Sequence, residues 1–262
     1  MIRSPQNPLI KETLRLRKSS SSRRKSGRFL IDGEKEIAAA LSSGFSLDVI
    51  LYSSGCESLR QLISDSVRCV ETSPEVQSKI SYGQRSESPV AIGTTPEFKL
   101  SNLSLNDKSL LLVLDRTEKP GNLGACLRTA MACNVDAVIL SDPICEVLNP
   151  NVIRASRGAV FHIPIGIADS LAVQEHLRAH KIDCCCARVD GSQSLWDIDF
   201  ATAGAFVFGN EATGLQENWT DYSSFVIPTA DAIDSLNLSI STAITFYEAM
   251  RQRQATTKTG NT

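Results

Sequence analysis

The residue groups best suited to chemistry lie in the second half of the chain. They are Asn122-Leu123-Gly124-Ala125-Cys126-Leu127-Arg128-Thr129-Ala130, then Phe208-Gly209-Asn210-Glu211-Ala212-Thr213-Gly214-Leu215, then Ile227-Pro228 leading to Ser235-Leu236-Asn237-Leu238-Ser239. Each follows an apolar run and sets small residues beside amides, hydroxyls or charges, where a backbone can approach a ligand closely. Together they could cradle one nucleotide-like cofactor. The spacing excludes two common phosphate binders. Gly121 and Gly124 do not make a G-x-G-x-x-G fingerprint, and no G-x-x-x-x-G-K-[ST] loop occurs. Taken singly, Asn122 reads as a helix cap followed by a solvated arginine, Gly209 to Gly214 as an ordinary turn, and Ser235 with Asn237 as a second cap.

Such loops need a sheet behind them, because ligands collect at the carboxyl ends of parallel strands. The apolar run 110–114, a helix over 123–133 and a strand over 137–140 make one βαβ unit, which implies a parallel sheet buried on both faces. Arg128 falls about one turn into that helix. The alternation continues with a helix near 151–157, an apolar strand over 160–165, a helix near 170–180 and strands near 182–189, 205–208 and 225–227. A final helix over 238–253 carries Ile240, Ala243, Ile244, Tyr247 and Met250 at helical spacing. The polar end, 254–262, reads as a disordered tail.

The front of the chain is a smaller α/β unit. A short basic helix over 4–16 is followed by the serine run 19–22, which reads as a flexible turn. Then come apolar Phe29-Leu30-Ile31, a helix near 34–43, a strand near 47–52, a second helix near 57–66, and strands near 68–70 and 90–94. Polar residues 96–108 form the linker. The expected division is a front domain with a basic arm over 1–100, a second domain over 106–254 and a tail over 255–262.

A chain of 262 residues supports one large domain or two modest ones, and 42% hydrophobic with 21% charged content is ordinary for a soluble protein. No apolar stretch is long enough to cross a bilayer, and no signal-type segment opens the chain. Arginine and serine enrichment there imitates a transit peptide, but Pro5, Pro8 and the lack of an amphipathic stripe favour a cytoplasmic protein. The eight cysteines read as free thiols. Cys184, Cys185 and Cys186 alternate across a strand and cannot converge on one metal, and His162, His176 and His180 form no finger-like pattern with them. No metal site is expected.

The net charge of −2 conceals a basic front: Arg3, Lys11, Arg15, Arg17, Lys18, Arg23, Arg24, Lys25 and Arg28, opposed there only by Glu12. Such density is a footprint for phosphate backbones, with a solvated arm as the plain alternative.

In this order and without internal gaps, the three groups resemble the motifs of the SpoU family, the TrmH-like class of SPOUT RNA methyltransferases: N-x-G-x-x-x-R-x-A, F-G-N-E-x-x-G-L and I-P…S-L-N-x-S. Arg154-Ala155-Ser156-Arg157-Gly158-Ala159-Val160-Phe161 is similar to the family's pattern before its central strand, so the resemblance covers residues 110–253. At the front, Ser4-Pro5-Gln6-Asn7-Pro8 and Phe29-Leu30-Ile31-Asp32-Gly33-Glu34 are similar to the small α/β, ribosomal-protein-like substrate-binding domain of many members. Asp32 stands where a glutamate is more usual.

The resemblance implies an α/β domain with a parallel sheet and a deep trefoil knot, a topology that chain physics alone would not propose. It implies a homodimer that binds S-adenosylmethionine and methylates a ribose 2′-hydroxyl in structured RNA. The apolar residues Ile240, Ile244 and Tyr247 are candidates for the dimer face. By motif, Gly209, Asn210, Gly214, Ile227 and Leu236 would hold the cofactor, largely through backbone. Arg128 would be catalytic, with Asn122 and Glu211 in support and Ser235 and Asn237 shaping the site. Arg23, Arg24, Lys25 and Arg154 would contact RNA. The sulfonium donor is already activated, so the enzyme must place the 2′-oxygen in line with the methyl group and help its proton leave. Family accounts often make the arginine a general base, but arginine keeps its proton near neutral pH. Holding phosphate and stabilising developing alkoxide suits Arg128 better, with a phosphate oxygen or water taking the proton.

Asp231 and Asp234 replace the glycine and small residues usual in the third motif, and Thr242-Ala243 follows where other small residues are common. Two-domain members act more often on large-subunit ribosomal RNA and one-domain members on transfer RNA, so ribosomal RNA is expected and transfer RNA is the alternative. A non-catalytic RNA-binding assembly factor is the rival class. The intact set Asn122, Arg128, Glu211, Ser235 and Asn237 argues against it.

Overall fold

The computed structural model describes residues 1–53, 59–83, 88–200, 204–230 and 235–259, with side chains as far as 254. Asp231 and Asp234 lie outside the described residues. The chain divides into two compact units, one of Met1–Glu97 with Glu146–His162, the other of Phe98–Cys145 with Ile163–Thr262.

In the front unit, α1 (Pro8–Lys18) starts where the Asn7 side chain accepts from the Leu9 N–H. The next helix, α2 (Ser20–Ser26), corrects the expected flexible turn. Ser19 accepts from the Ser22 N–H as a cap, and Gly27 in the left-handed region ends the helix. Then follow β1 (Arg28–Asp32), α3 (Glu34–Ser42), β2 (Leu47–Tyr52), β3 (Arg68–Glu71), α4 (Pro74–Ile80) and β4 (Val90–Thr94). The sheet order is β1-β4-β2-β3, with only β2 and β3 parallel. Described residues 59–66 form turns rather than the expected helix. The helix is α4, announced by the cap Ser73 and by Pro74 in its first turn. Ile10, Leu16, Leu30, Val49, Leu51 and Ile92 make one buried cluster.

The second unit begins with β5 (Leu110–Asp115), α5 (Pro120–Ala132) and β6 (Ala137–Ser141). Both strands are buried throughout, as their unbroken apolar runs require. The chain then returns to the front unit. Here α6 (Pro150–Ser156), capped by Asn149, leads into a 3-10 turn at Ala159–Phe161. Phe161 packs on Phe45 and Phe29, with ring centroids 4.9 and 6.2 Å apart. The strand expected over 160–165 is therefore absent, and β7 (Ile165–Ala168) starts where that run ends.

The rest of the second unit is α7 (Ser170–Ala179), β8 (Cys184–Ala187), β9 (Gln193–Ser194), β10 (Gly204–Phe208), β11 (Ser223–Val226) and α8 (Leu238–Thr259). Its sheet is parallel throughout, ordered β7-β6-β5-β10-β8-β11-β9. The order turns back at β5, which lies between β6 and β10. Leu111, Val113, Ile139, Val207 and Trp219 are among its buried core. Helix α8 runs past the end expected at Arg253, through part of the sequence read as a disordered tail. The described cysteines are free thiols, and Cys184 and Cys186 point inward while Cys185 is half-buried. Among the described residues no helix is long and apolar enough to cross a membrane, and no group of metal-ligating side chains forms.

Candidate functional site

At the carboxyl ends of β8, β10 and β11 the loops enclose a cavity of about 500 Å³. Its wall includes Gly209, Asn210, Glu211 and Gly214 from the loop after β10, and Ile227, Ser235 and Leu236 from the segment before α8. This is where an open parallel sheet offers its crevice.

The loop after β10 closes on itself. The Asn210 and Gly214 backbones exchange two hydrogen bonds, at 3.0 and 2.9 Å, and Gly214 takes a φ of 69°. A Cβ on Gly209 would fall on the Gly214 carbonyl carbon and the Leu215 nitrogen. Glycine is thus needed there for loop closure, before any ligand is considered. Asn210 is buried and fully engaged. Its Oδ1 accepts from the Ala212 and Thr213 N–H groups, at 2.8 and 3.2 Å, and its Nδ2 donates to the Arg116 carbonyl at 3.0 Å. The side chain expected to hold a ligand instead builds the wall that would hold it.

Beneath this loop lies a polar brace. Buried Asp115 accepts from the Ser141 hydroxyl (2.8 Å) and from the Gln216 N–H and Nε2 (3.0 and 2.9 Å). The same Gln216 Nε2 donates to Asp142 at 2.9 Å, and Asp142 also accepts from the Ser170 N–H. Burial opposes ionisation of Asp142, yet the hydrogen bonds from Gln216 and Ser170, with Arg116 nearby, hold its carboxyl below the ordinary value. Arg116 and Asp142 both have positive φ, 51° and 44°, so the strand ends hold backbone in an uncommon region.

Asn122 is not a helix cap. That position belongs to Lys119, and Asn122 lies inside the first turn of α5. Its Nδ2 donates to Glu211 Oε1, and its Oδ1 accepts from Asn237 Nδ2 at 3.3 Å. Asn237 also accepts from the Ser239 N–H and hydroxyl, at 3.0 and 2.7 Å, and so caps α8. One line of hydrogen bonds therefore joins all three motifs. Arg128 projects from α5 outside the cavity wall. It is exposed and makes no hydrogen bond or ion pair among the described residues. Cys126, two residues earlier and beside the Thr242 hydroxyl, is held inert: burial pushes its thiol up to about 12.

The residues expected to contact RNA separate. Arg23 is buried, donating to Glu146 at 2.5 Å and to the Leu16 carbonyl at 2.7 Å, so it corrects the expectation and serves as an internal cation. Its neighbours Arg24 and Lys25 are exposed, Arg24 reaching Glu146 only at 3.8 Å. Arg154 is half-buried and lies in the front unit, not with the other motif residues. Sequence reasoning missed Arg188 and Asp190, which stand in the cavity wall as a two-pronged ion pair at 2.8 and 3.0 Å. The available signal is Asp190-Gly191 directly after a strand, a turn dipeptide. A Cβ on Gly191 would strike the Phe225 backbone.

The family model described as the SpoU rRNA Methylase family matches residues 109–247, and that of the MRM3-like substrate binding domain matches residues 7–91. An uncharacterized tRNA/rRNA methyltransferase of Synechocystis is 30% identical, over 99% of this chain and 96% of its own. The 23S rRNA (guanosine(2553)-2'-O)-methyltransferase of Bacillus subtilis is 27% identical, over 94% of this chain and 97% of its own. The crystal structure of an AdoMet-bound rRNA methyltransferase from Sinorhizobium meliloti superposes with a TM-score of 0.87 at 27% identity, covering 95% of this chain and 97% of that one.

Proposed function

Because the chain belongs to the SpoU rRNA methylase family, we propose that it transfers a methyl group from S-adenosylmethionine to a ribose 2′-hydroxyl of large-subunit ribosomal RNA. The observation that carries this reading is the line Glu211–Asn122–Asn237, which ties the three motifs together at the rim of one cavity. A cavity of about 500 Å³ suits a nucleoside-sized ligand. Its wall carries charged side chains of both signs, the Arg188–Asp190 pair and Glu211, beside which a ligand bearing both an ammonium and a carboxylate would lie. Gly209, Gly214, Ile227 and Leu236 would hold the adenosyl group. When bound, the cofactor supplies an activated methyl group on a sulfonium centre.

The protein's own part is positioning. Arg128 presents five N–H donors that no described group uses, and it would grip an RNA phosphate and stabilise charge growing on the 2′-oxygen. Asn122 and Asn237 fix Glu211 at the rim. A phosphate oxygen or water would accept the proton, since a protonated guanidinium cannot.

The reading extends to a homodimer and to the deep trefoil knot of the family. Met131 of α5 and Ile240 and Tyr247 of α8 are about half exposed on two helices that pack together, an apolar surface suited to a second copy. Light scattering should give the mass of two chains at micromolar concentration, and one chain would refute the dimer. For the activity itself, the full chain should bind S-adenosylhomocysteine saturably and not NAD. Ribosomal RNA from cells lacking the gene should lose one 2′-O-methyl mark. No difference in that map, with transfer RNA mapped alongside, would overturn the ribosomal assignment.

A further inference from the structure

The front unit holds a concave surface that the methyl-transfer site does not use. A cavity of about 420 Å³ is lined by Leu14, Arg17, Lys18, Lys79, Tyr82 and Asn151, together with Pro150, with no acidic side chain among the described residues of its wall. Tyr82 keeps 43% of its surface exposed. The Arg154 guanidinium lies 3.4 Å from the centre of the Tyr82 ring, and that of Arg17 lies 5.1 Å away.

The cluster is pre-set. Arg17 Nη1 donates to the Lys79, Ile80 and Ser81 carbonyls at the end of α4, at 3.1, 3.3 and 2.7 Å. Arg154 Nη2 donates to Asn151 Oδ1 at 3.1 Å. The Tyr82 N–H donates to Asp32 Oδ2, at the position where this sequence departs from the usual glutamate. Three separate stretches of chain thus hold one guanidinium over one ring. Core packing would have hidden the ring, and a plain charged surface would not have pinned both arginines.

A guanidinium laid on a phenol ring makes a broad flat cationic surface. An unpaired base stacks on such a surface whatever its identity, whereas a duplex has no base face to offer. Lys18 and Lys79 line the same cavity and add two further cations beside the ring. We infer that Tyr82 and Arg154 form a stacking platform for an unpaired base of the RNA substrate, with Lys18 and Lys79 holding its phosphates. This rests on the reading that the chain acts on RNA. It adds that the front unit selects single-stranded character.

The test measures affinity of the full chain for a labelled single-stranded RNA of roughly ten nucleotides and for its duplex, at two salt concentrations. Tyr82→Ala should weaken single-strand binding by roughly tenfold or more and duplex binding by less than about twofold. Tyr82→Phe should behave as the unaltered protein. Arg154→Lys should lose single-strand affinity with little change in salt slope. Lys18→Ala with Lys79→Ala should weaken both RNAs and flatten the slope. S-adenosylhomocysteine affinity in each variant reports that the chain remains folded, and Arg154→Lys serves as the milder probe if Tyr82→Ala does not.

The platform is overturned if the unaltered chain does not prefer the single strand. Equal losses on both RNAs, or Tyr82→Phe failing like Tyr82→Ala, would overturn it too. If Tyr82→Ala matches the unaltered chain while methylation proceeds, the platform falls and the methyltransferase reading stands. If the platform variants behave as expected but S-adenosylhomocysteine does not bind, the opposite holds.

Discussion

Three arginines of the front unit and the arginine of the motif region are used in opposite ways. In the front unit Arg23 is tied to Glu146, Arg28 to Glu12 and Asp48, and Arg17 to three carbonyls. In the second unit Arg128 is exposed and has no partner among the described residues. Cationic density in a sequence therefore overstates the charge available to a ligand. Each arginine must first be tested for a partner inside the fold, and what remains is a candidate for function.

The sharpest way to break this contrast is at Arg128. Arg128→Ala should lower single-turnover methyl transfer by about a hundred- to a thousand-fold, with unchanged cofactor affinity and thermal midpoint. Arg128→Lys should also fail, since an ammonium lacks the planar two-pronged contact. Near-normal transfer by Arg128→Ala would make it another surface arginine.

Arg23→Ala should do the reverse, costing about 3 kcal/mol of stability by leaving Glu146 without its closest cation. The denaturant midpoint should fall while RNA affinity of the folded protein holds. A large loss of RNA affinity at full stability would return Arg23 to the interface. A smaller effect is expected at Gly209. Gly209→Ala should displace the loop at a cost of about 1–3 kcal/mol, read as weaker S-adenosylhomocysteine binding. Unaltered binding would mean that the loop closes differently in solution. The smallest effect belongs to the exposed pair. Arg24→Ala with Lys25→Ala should flatten the salt dependence of RNA binding, lowering its slope by about 0.9 for each phosphate no longer neutralised. An unchanged slope would make both of them solvated charges.

How far the sequence can be read follows from where the information lies. The strands at 47–52, 90–94, 110–114 and 205–208 are legible because an apolar run must bury its faces wherever it sits. The three motifs are legible as a set, since their order and spacing are specific. What stays hidden depends on partners far along the chain. Nothing near Arg23 announces Glu146, and nothing near Asn122 announces Glu211 and Asn237. Asn210 reads as a ligand-binding amide because its use as a loop brace is a matter of geometry. Where a helix is expected over 57–66, the described residues 59–66 form turns, while Ser73-Pro74 is the local signal for the helix that does form.

The return of Glu146–His162 to the front unit has a consequence for synthesis. A chain emerges from the ribosome in order, and domains ordinarily fold as soon as their last residue is free. Here the last part of the front unit, with Phe161 packed on Phe29 and Phe45, emerges only after β5, α5 and β6 are already outside. Truncation after the linker would thus leave an incomplete fragment. The two units mature as interleaved pieces of one chain, and the second has already begun before the first can finish.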